Sequence, residues 1–130
     1  MIYNDVVLDG GTDLTLDGAG DHRIFFIPQG TDAELRGFAL TRGSEAGAGV
    51  LLNEGVLVMS GSTVSGIDGV HNTGVLTMTD CAIYSSRGNA SNPAPVAIEN
   101  RGNLMMNRCR IEGPPLNRNT SVLNDGGTLT

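Results

Sequence analysis

The chain has 130 residues and a formal net charge of -6, and all eight of its basic residues are Arg. The acidic balance and the lack of a basic run disfavour nucleic acid as a partner. No segment approaches the ~18 apolar residues of a membrane-spanning helix. Residues 1–10 also lack the basic and apolar regions of a signal peptide, so we predict neither a membrane span nor a leader in this sequence.

The negative charge is concentrated near the start of the chain. Residues 1–34 hold seven of the fourteen carboxylates and one Arg. The segments LDGGTD and LDGAGD are similar to Gly-Asp turns that bind calcium, but their repeat is eight residues long and occurs twice. Asp and Gly also form ordinary corners. We therefore predict no metal and no cofactor. The only weak metal-ligand candidates are Asp9, Asp13, Asp17 and Asp21.

After a lead-in over residues 1–13, a cassette recurs along the rest of the chain. The pattern V-x-N-x-G-x-L-x-M-x-x-C-x-I is clearest over 70–83 and 98–111, with related copies at 27–40, 51–64 and, truncated, at 122–129. Its leucine-type position falls at Leu14, Ala33, Leu57, Leu76, Leu104 and Leu129. Apolar residues alternate with period two and change phase once within each cassette, which indicates short strands separated by corners.

The repeat predicts one domain over 1–130, an all-β, single-stranded parallel β-helix. Each of its five to six rungs would contain three short strands, over residues 14–130. Equivalent strands of successive rungs would pair in parallel, which satisfies their backbone groups. Gly55, Gly74 and Gly102 fall at corners where a positive φ or a close backbone approach is needed.

Two further columns of the cassette should stack in the interior. The first is a polar ladder in which each amide donates to one neighbour and accepts from the other. Its predicted members are Gln29, Asn53, Asn72, Asn100 and Asn124. The second contains Cys81 and Cys109, which we expect to be buried and reduced because parallel in-register side chains point alike rather than towards each other. Neither redox chemistry nor metal binding is predicted for this pair.

The repeats resemble those of a known group of proteins. The segments GVHNTGVLTMTDCAIYSS, VAIENRGNLMMNRCRIEG and AELRGFALTRG are similar to coils of right-handed parallel β-helix proteins of the pectate-lyase-like group, and closest to polymorphic outer-membrane and autotransporter-type surface proteins. The resemblance implies a right-handed coil and an extracellular or cell-surface location. It does not imply an activity, since this architecture hosts lyases, hydrolases, adhesins and passive stalks.

The outward positions of the leucine-containing strand contain the weak catalytic candidates. The predicted register brings Asp17 level with Arg36, with Glu34 diagonally close to both. Two carboxylates with a base on one sheet are similar to the acid pair of glycoside hydrolysis. An ordinary cross-strand ion pair explains the same pattern. His71 is predicted to lie outward with Glu99 beside it, but no nucleophile shares that column.

The extra length of the longer repeats falls at one corner, in inserted loops near 41–50, 85–95 and 113–120. Loops inserted at one edge of a solenoid commonly form its binding surface. Each contains an arginine, Arg42, Arg87 or Arg118, and Tyr84 points outward near the same edge. These four residues are the ligand-binding candidates, for a carboxylate or a sulfated sugar. Solvated loop arginines are the alternative.

The sequence therefore favours a noncatalytic scaffold or interaction module. The cassette ends without a capping element, so we expect either homo-oligomers joined through open β-helix ends or a chain cut from a longer one. The alternative is a carbohydrate-active enzyme, a hydrolase or lyase, or a polysaccharide-binding module. A calcium-stabilised fragment is a third, weaker hypothesis.

Overall fold

The computed structural model describes residues 5–19, 22–43, 50–66, 69–85, 97–112, 122–124 and 126–130. In these ranges the chain forms strands, turns and bends, and no helix. The strands are β1 (Val6–Asp17), β2 (Phe25–Ile27), β3 (Asp32–Gly43), β4 (Leu51–Asn53), β5 (Val56–Ser60), β6 (Thr63–Gly66), β7 (Val70–Asn72), β8 (Val75–Thr79), β9 (Ala82–Ser85), β10 (Ile98–Asn100), β11 (Asn103–Asn107), β12 (Arg110–Glu112), β13 (Val122–Asn124) and β14 (Thr128–Leu129).

These strands stack as a parallel β-solenoid with three faces. The first face contains β2, β4, β7, β10 and β13 in that order. The second face contains the first half of β3, then β5, β8, β11 and β14, and the third contains the second half of β3, then β6, β9 and β12. The predicted fold class and the three strands per rung are thus confirmed.

The solenoid has about four turns, fewer than the five to six rungs predicted. Among the described residues, β1 pairs with β3 without a first-face strand of its own, and β13 and β14 are not followed by a third-face strand. Both ends of the repeat therefore contribute partial turns. β1 begins at Val6, inside the segment predicted as a lead-in.

The core follows from the period-two alternation of each strand. Equivalent residues pair in register, so that Leu57, Leu76 and Leu104 stack on one another in the interior. All three are at most 2% exposed. Stacking of like side chains fills each layer in the same way. Apart from Phe38, the buried hydrophobic residues are aliphatic or sulfur-containing.

The bend between the second and third faces is made by one residue in the left-handed region. In successive rungs this residue is Gly37, Gly61, Asp80 and Arg108, with φ between 52° and 69°. In the three later rungs the next inward side chain donates to the carbonyl two residues before it. These bonds are Ser62 Oγ to Ser60 O at 2.9 Å, Cys81 Sγ to Thr79 O at 3.3 Å and Cys109 Sγ to Asn107 O at 3.4 Å.

The corner between the first and second faces depends on close backbone approach. A Cβ on Gly74 would lie 2.1 Å from the carbonyl O of Gly55, and a Cβ on Gly102 would lie 2.1 Å from that of Gly74. None of these three glycines has a positive φ. Of the two reasons predicted for glycine at this corner, close approach is the one that operates.

The predicted register of β1 is wrong. Asp9 pairs with Arg36, and Leu14 pairs with Phe38 rather than with Ala33. β1 bulges between Asp9 and Leu14 and therefore follows the bend of β3 from the second face onto the third. Gly37 permits this path because it has no Cβ. A Cβ at this position would lie 1.8 Å from the carbonyl O of Gly11. The alternation within LTLD fits either face equally well, so the pattern alone could not locate the bulge.

The longer connections all join the third face to the first, as predicted. They run from Gly43 to Leu51, from Ser85 to Ile98 and from Glu112 to Val122, whereas Gly66 and Val70 are close in sequence. The loops predicted near 41–50, 85–95 and 113–120 lie mostly outside the described residues.

Candidate functional site

The asparagine ladder is confirmed as a buried, self-satisfying stack. Asn53 Nδ2 donates to Asn72 Oδ1 at 2.8 Å, and Asn72 Nδ2 donates to Asn100 Oδ1 at 2.8 Å. Each amide also donates to carbonyl groups of its own and the following rung, as Asn72 does to Gly74 O at 3.2 Å and Asn103 O at 3.0 Å. The three asparagines are at most 1% exposed, so this row is not a ligand-binding surface.

The prediction that Gln29 is the first member of the ladder is wrong. Ile27 pairs with Asn53, while Gln29 lies two residues further on in an exposed turn. The first rung turns through four residues, 28–31, where the next three rungs use two, and this displaces Gln29 from the column. As a result Asn53 Oδ1 faces an apolar neighbour and has no hydrogen-bond partner within the described structure. The side chain of Asn124 lies outside the described set.

The three catalytic candidates do not all lie on the second face. Glu34 and Arg36 are two residues apart on β3, and Arg36 Nε donates to Glu34 Oε1 at 2.6 Å. Asp17 lies beyond the bend, level with Thr41. Glu34 also borders an open groove of about 510 Å³ whose other carboxylates are Asp5 and Asp32. The structure thus brings Glu34 and Arg36 together and leaves Asp17 apart from them.

Asp17 is bound to one of the ligand-binding candidates. Arg42 Nε donates to Asp17 Oδ1 at 3.0 Å, and Asp17 Oδ1 also accepts from the backbone N–H of Ala19 at 2.8 Å. The Arg42 hydrogen bond, followed by that from Ala19, lowers the pKa of the Asp17 carboxyl. Arg42 is therefore neutralised by a neighbouring carboxylate.

The remaining ligand-binding candidates are only partly placed. Tyr84 is half-buried on β9, level with Ser65 and Glu112 on the third face, at the edge next to the long connections. Arg87 and Arg118 lie outside the described residues. The structure consequently places Arg42 and Tyr84 near the same edge but does not test the predicted arginine strip.

The acidic metal candidates do not converge in the described part of the chain. Asp9 Oδ1 accepts from the backbone N–H of Gly11 at 2.8 Å, a bond typical of an Asp-Gly corner. Asp17 binds Arg42, the side chain of Asp13 is not described, and Asp21 lies outside the described residues. No group of three or more His, Cys, Asp or Glu side chains in the described ranges could hold a metal ion.

His71 and Glu99 are neighbours on the first face, as predicted. They are directly opposite in the β7–β10 pair, with His71 Nδ1 3.5 Å from Glu99 Oε2. The other oxygen of Glu99 lies 2.9 Å from Arg101 Nη2. The side chains of His71 and Glu99 are 14% and 18% exposed. Glu99 therefore lies between the imidazole of His71 and the guanidinium of Arg101.

The two cysteines stack as predicted, with no bond between their sulfurs. The prediction of burial is confirmed for Cys81, which is 3% exposed, and is wrong for Cys109, which is half-buried because the described structure has no third-face strand above it. Burial raises the pKa of the Cys81 thiol, while the backbone N–H of Ser62 acts in the opposite direction. Cys109 Sγ lies 3.4 Å from the carbonyl O of Met78, an atom of the preceding rung. Both thiols therefore face the same interior corner.

One charged pair was missed by the sequence reasoning. Asp80 and Arg108 occupy the left-handed bend position in successive rungs, and Arg108 binds the Asp80 carboxylate through two hydrogen bonds of 2.6 and 2.9 Å. These bonds lower the pKa of Asp80 and raise that of Arg108. The signal was available in the sequence, because both residues immediately precede the equivalent cysteines.

Comparisons with models of protein families, with curated proteins and with solved structures found no match to this chain. Within the described ranges, no helix has the length and apolar character required to cross a membrane. The parallel β-solenoid and its asparagine stack are accordingly the established properties of the molecule.

Proposed function

We propose that this chain is a noncatalytic β-helix scaffold or interaction module that self-associates through its open ends. The observation that supports it most is the gradient of burial along the interior. Three inward residues around the bend of the third rung are buried, whereas their equivalents in the fourth rung are half-buried. The pairs are Met78 and Met106, Cys81 and Cys109, and Ile83 and Ile111.

The backbone of the same end supports the proposal. In the described structure β12, β13 and β14 each pair with a strand on one side only. Unpaired strand edges readily pair with another chain. Leu129, on β14, continues the interior leucine column and is 44% exposed. A second solenoid placed end to end would extend both the hydrogen bonding and the apolar column.

The resemblance to polymorphic outer-membrane and autotransporter-type repeats is consistent with such a role, because stalks and adhesins of that group act through extended stacks of rungs. Membership of the pectate-lyase-like group and a place in a bacterial surface protein are part of this proposal. They rest on the residue pattern of the cassettes alone.

Sedimentation velocity over a range of protein concentrations tests the self-association. Leu129→Arg places a charge on the open end at a residue that is already 44% exposed, and it should shift the protein towards monomer. Val58→Arg is the matched control, because Val58 is 38% exposed but lies on the side of the second face. A wild-type protein that stays monomeric at all concentrations would refute the proposal. Loss of association in Val58→Arg alone would assign it to the second face instead.

The alternative function is carbohydrate binding or cleavage. The groove on the second face favours it, because carboxylates flanking a cleft are the groups that glycoside hydrolysis requires. Asp5, Asp32 and Glu34 line it together with Val7 and Val56. Release of reducing ends from acidic polysaccharides would be measured for the wild type, Glu34→Gln and Asp17→Asn. Activity lost in Glu34→Gln and retained in Asp17→Asn supports the groove, and the reverse result contradicts it.

A further inference from the structure

Sulfur-containing side chains are concentrated at one interior corner of the solenoid. In the third rung Met78 is the last inward residue before the bend and Cys81 is the first after it. In the fourth rung Met106 and Cys109 occupy the same positions. The sequence M-x-x-C thus occurs twice, 28 residues apart, and the fold stacks the two copies directly on each other.

The stacking sets the separation of the two thiols. Neighbouring strands lie about 4.8 Å apart, and parallel in-register side chains extend in the same direction. A disulfide requires sulfurs about 2.05 Å apart, which this arrangement does not provide. A zinc–thiolate bond is about 2.3 Å long, and on that scale a straight sulfur–metal–sulfur unit spans about 4.6 Å. The strand spacing is therefore close to the span of a two-coordinate metal dithiolate.

The observed contacts fit this geometry. Cys109 Sγ lies 3.4 Å from the carbonyl O of Met78 in the preceding rung and 3.4 Å from that of Asn107 in its own, so this thiol lies between the two rungs. Met78 and Cys81 belong to the apolar core, and Met106 and Cys109 pack against it. The half-buried Cys109 gives an ion a route into the corner from the fourth rung.

We propose that Cys81 and Cys109 form a binding site for one soft monovalent cation, Cu(I), in a linear dithiolate. Both thiols release a proton to solvent and both sulfurs bond to the metal, with no change of oxidation state. Soft sulfur ligands select Cu(I), whereas a closed zinc site needs four ligands. Met78 and Met106 supply a polarizable, water-poor lining. Both sulfurs come from one chain, so the site does not require the proposed self-association, although the ion's route past Cys109 lies at the end that a second solenoid would cover.

The binding experiment uses the whole chain under anaerobic conditions in chloride-free buffer. Ag(I), a redox-inert probe, is titrated with native mass spectrometry as the readout, and Cu(I) affinity is measured by competition with a chromophoric chelator. We expect one ion per chain, protection of both thiols from a thiol reagent, and no Zn(II) binding under the same conditions. Because two protons leave, affinity should rise about 100-fold per pH unit below the thiol pKa values. Two independently bound ions, or a tenfold dependence, would overturn the proposal.

Two variants test the stacking itself. Cys109→Ser should keep the fold, since Ser62 occupies this position in the second rung with the equivalent hydrogen bond, and it should weaken binding by at least about 100-fold. The double variant Ser62→Cys with Cys109→Ser moves the pair down by one rung and should restore affinity to within about tenfold. Unchanged affinity in Cys109→Ser, or no recovery in a folded double variant, would contradict the proposal. The wild-type stoichiometry and pH dependence test it even where a variant fails to fold.

Discussion

The asparagine ladder makes unequal predictions for Asn53 and Asn72, each of which donates to the next amide of the column. Asn72→Leu removes the group that donates to Asn100 Oδ1, and Asn53 Oδ1 already lacks a partner in the described structure. This variant therefore keeps Asn53 Oδ1 unsatisfied and also takes the Asn72 donor away from Asn100 Oδ1. Asn53→Leu removes its own unsatisfied oxygen and leaves only Asn72 Oδ1 without a donor. The wild type and Asn53→Leu thus each contain one unsatisfied acceptor in the column.

The expected difference between the variants is the free energy of one buried, unsatisfied acceptor, about 1–3 kcal/mol. Each substitution removes three donated amide hydrogen bonds and places leucine in an equivalent corner, so those contributions largely cancel. Asn72→Leu also removes one acceptor of Asn53 Nδ2, which keeps its two carbonyl acceptors. Asn72→Leu should therefore lower the free energy of unfolding by about 1–3 kcal/mol more than Asn53→Leu does.

Urea denaturation followed by circular dichroism measures this difference, provided that both variants keep the wild-type dependence of the unfolding free energy on urea. Equal destabilisation of the two variants, or a larger loss in Asn53→Leu, would refute the reasoning. Either result would mean that the unpaired oxygen of Asn53 carries no energetic cost.

Three further predictions concern the corners. Gly74→Ala should lower the free energy of unfolding by about 3 kcal/mol, because its Cβ would meet a backbone oxygen. Gly61→Ala should lower it by about 1 kcal/mol, because Gly61 lies in open space at φ 55°. Equal losses of the two variants in urea unfolding would contradict this. Because the folded-state pKa of Asp80 is lowered, its stabilisation is present above the unfolded-state pKa and is lost as the pH falls through the folded-state value. Asp80→Asn should flatten this part of the acid-side decline in Tm, and an unchanged decline would contradict it. Cys109 should react with a thiol reagent before Cys81, whose burial raises its pKa, and peptide mapping showing the reverse order would be inconsistent with the structure.

The sequence could predict those parts of the fold that the repeat determines. Leu57, Leu76 and Leu104 stack as expected because like residues in parallel rungs have equivalent surroundings, and the same reasoning correctly paired Asn72 with Asn100. The alternation within one repeat predicts where the strands lie, and the recurrence of the repeat predicts which strands pair.

The errors lie where the repeat is imperfect. Leu14 and Gln29 were assigned by alternation alone, and a bulge in β1 and a longer turn after β2 displace them. The two candidate carboxylates, Asp17 and Glu34, are separated for the same reason, since the bulge in β1 places Asp17 beyond the bend. Asp80 at a left-handed bend was also missed, because glycine is the residue usually expected there. Candidate sites built on irregular segments are therefore less predictable than the core.

All longer connections lie at the corner between the third and first faces, and this corner is therefore suited to the insertion of foreign peptides. Three residues separate Gly66 from Val70, whereas twelve separate Ser85 from Ile98, yet the flanking strands pair in the same register. A fourfold longer loop adds only about 1.2 kcal/mol of closure entropy, less than the upper estimate for one buried unsatisfied acceptor. Foreign peptides inserted between the third and first faces should therefore be displayed in a column, one rung apart, without disturbing the layers beneath them.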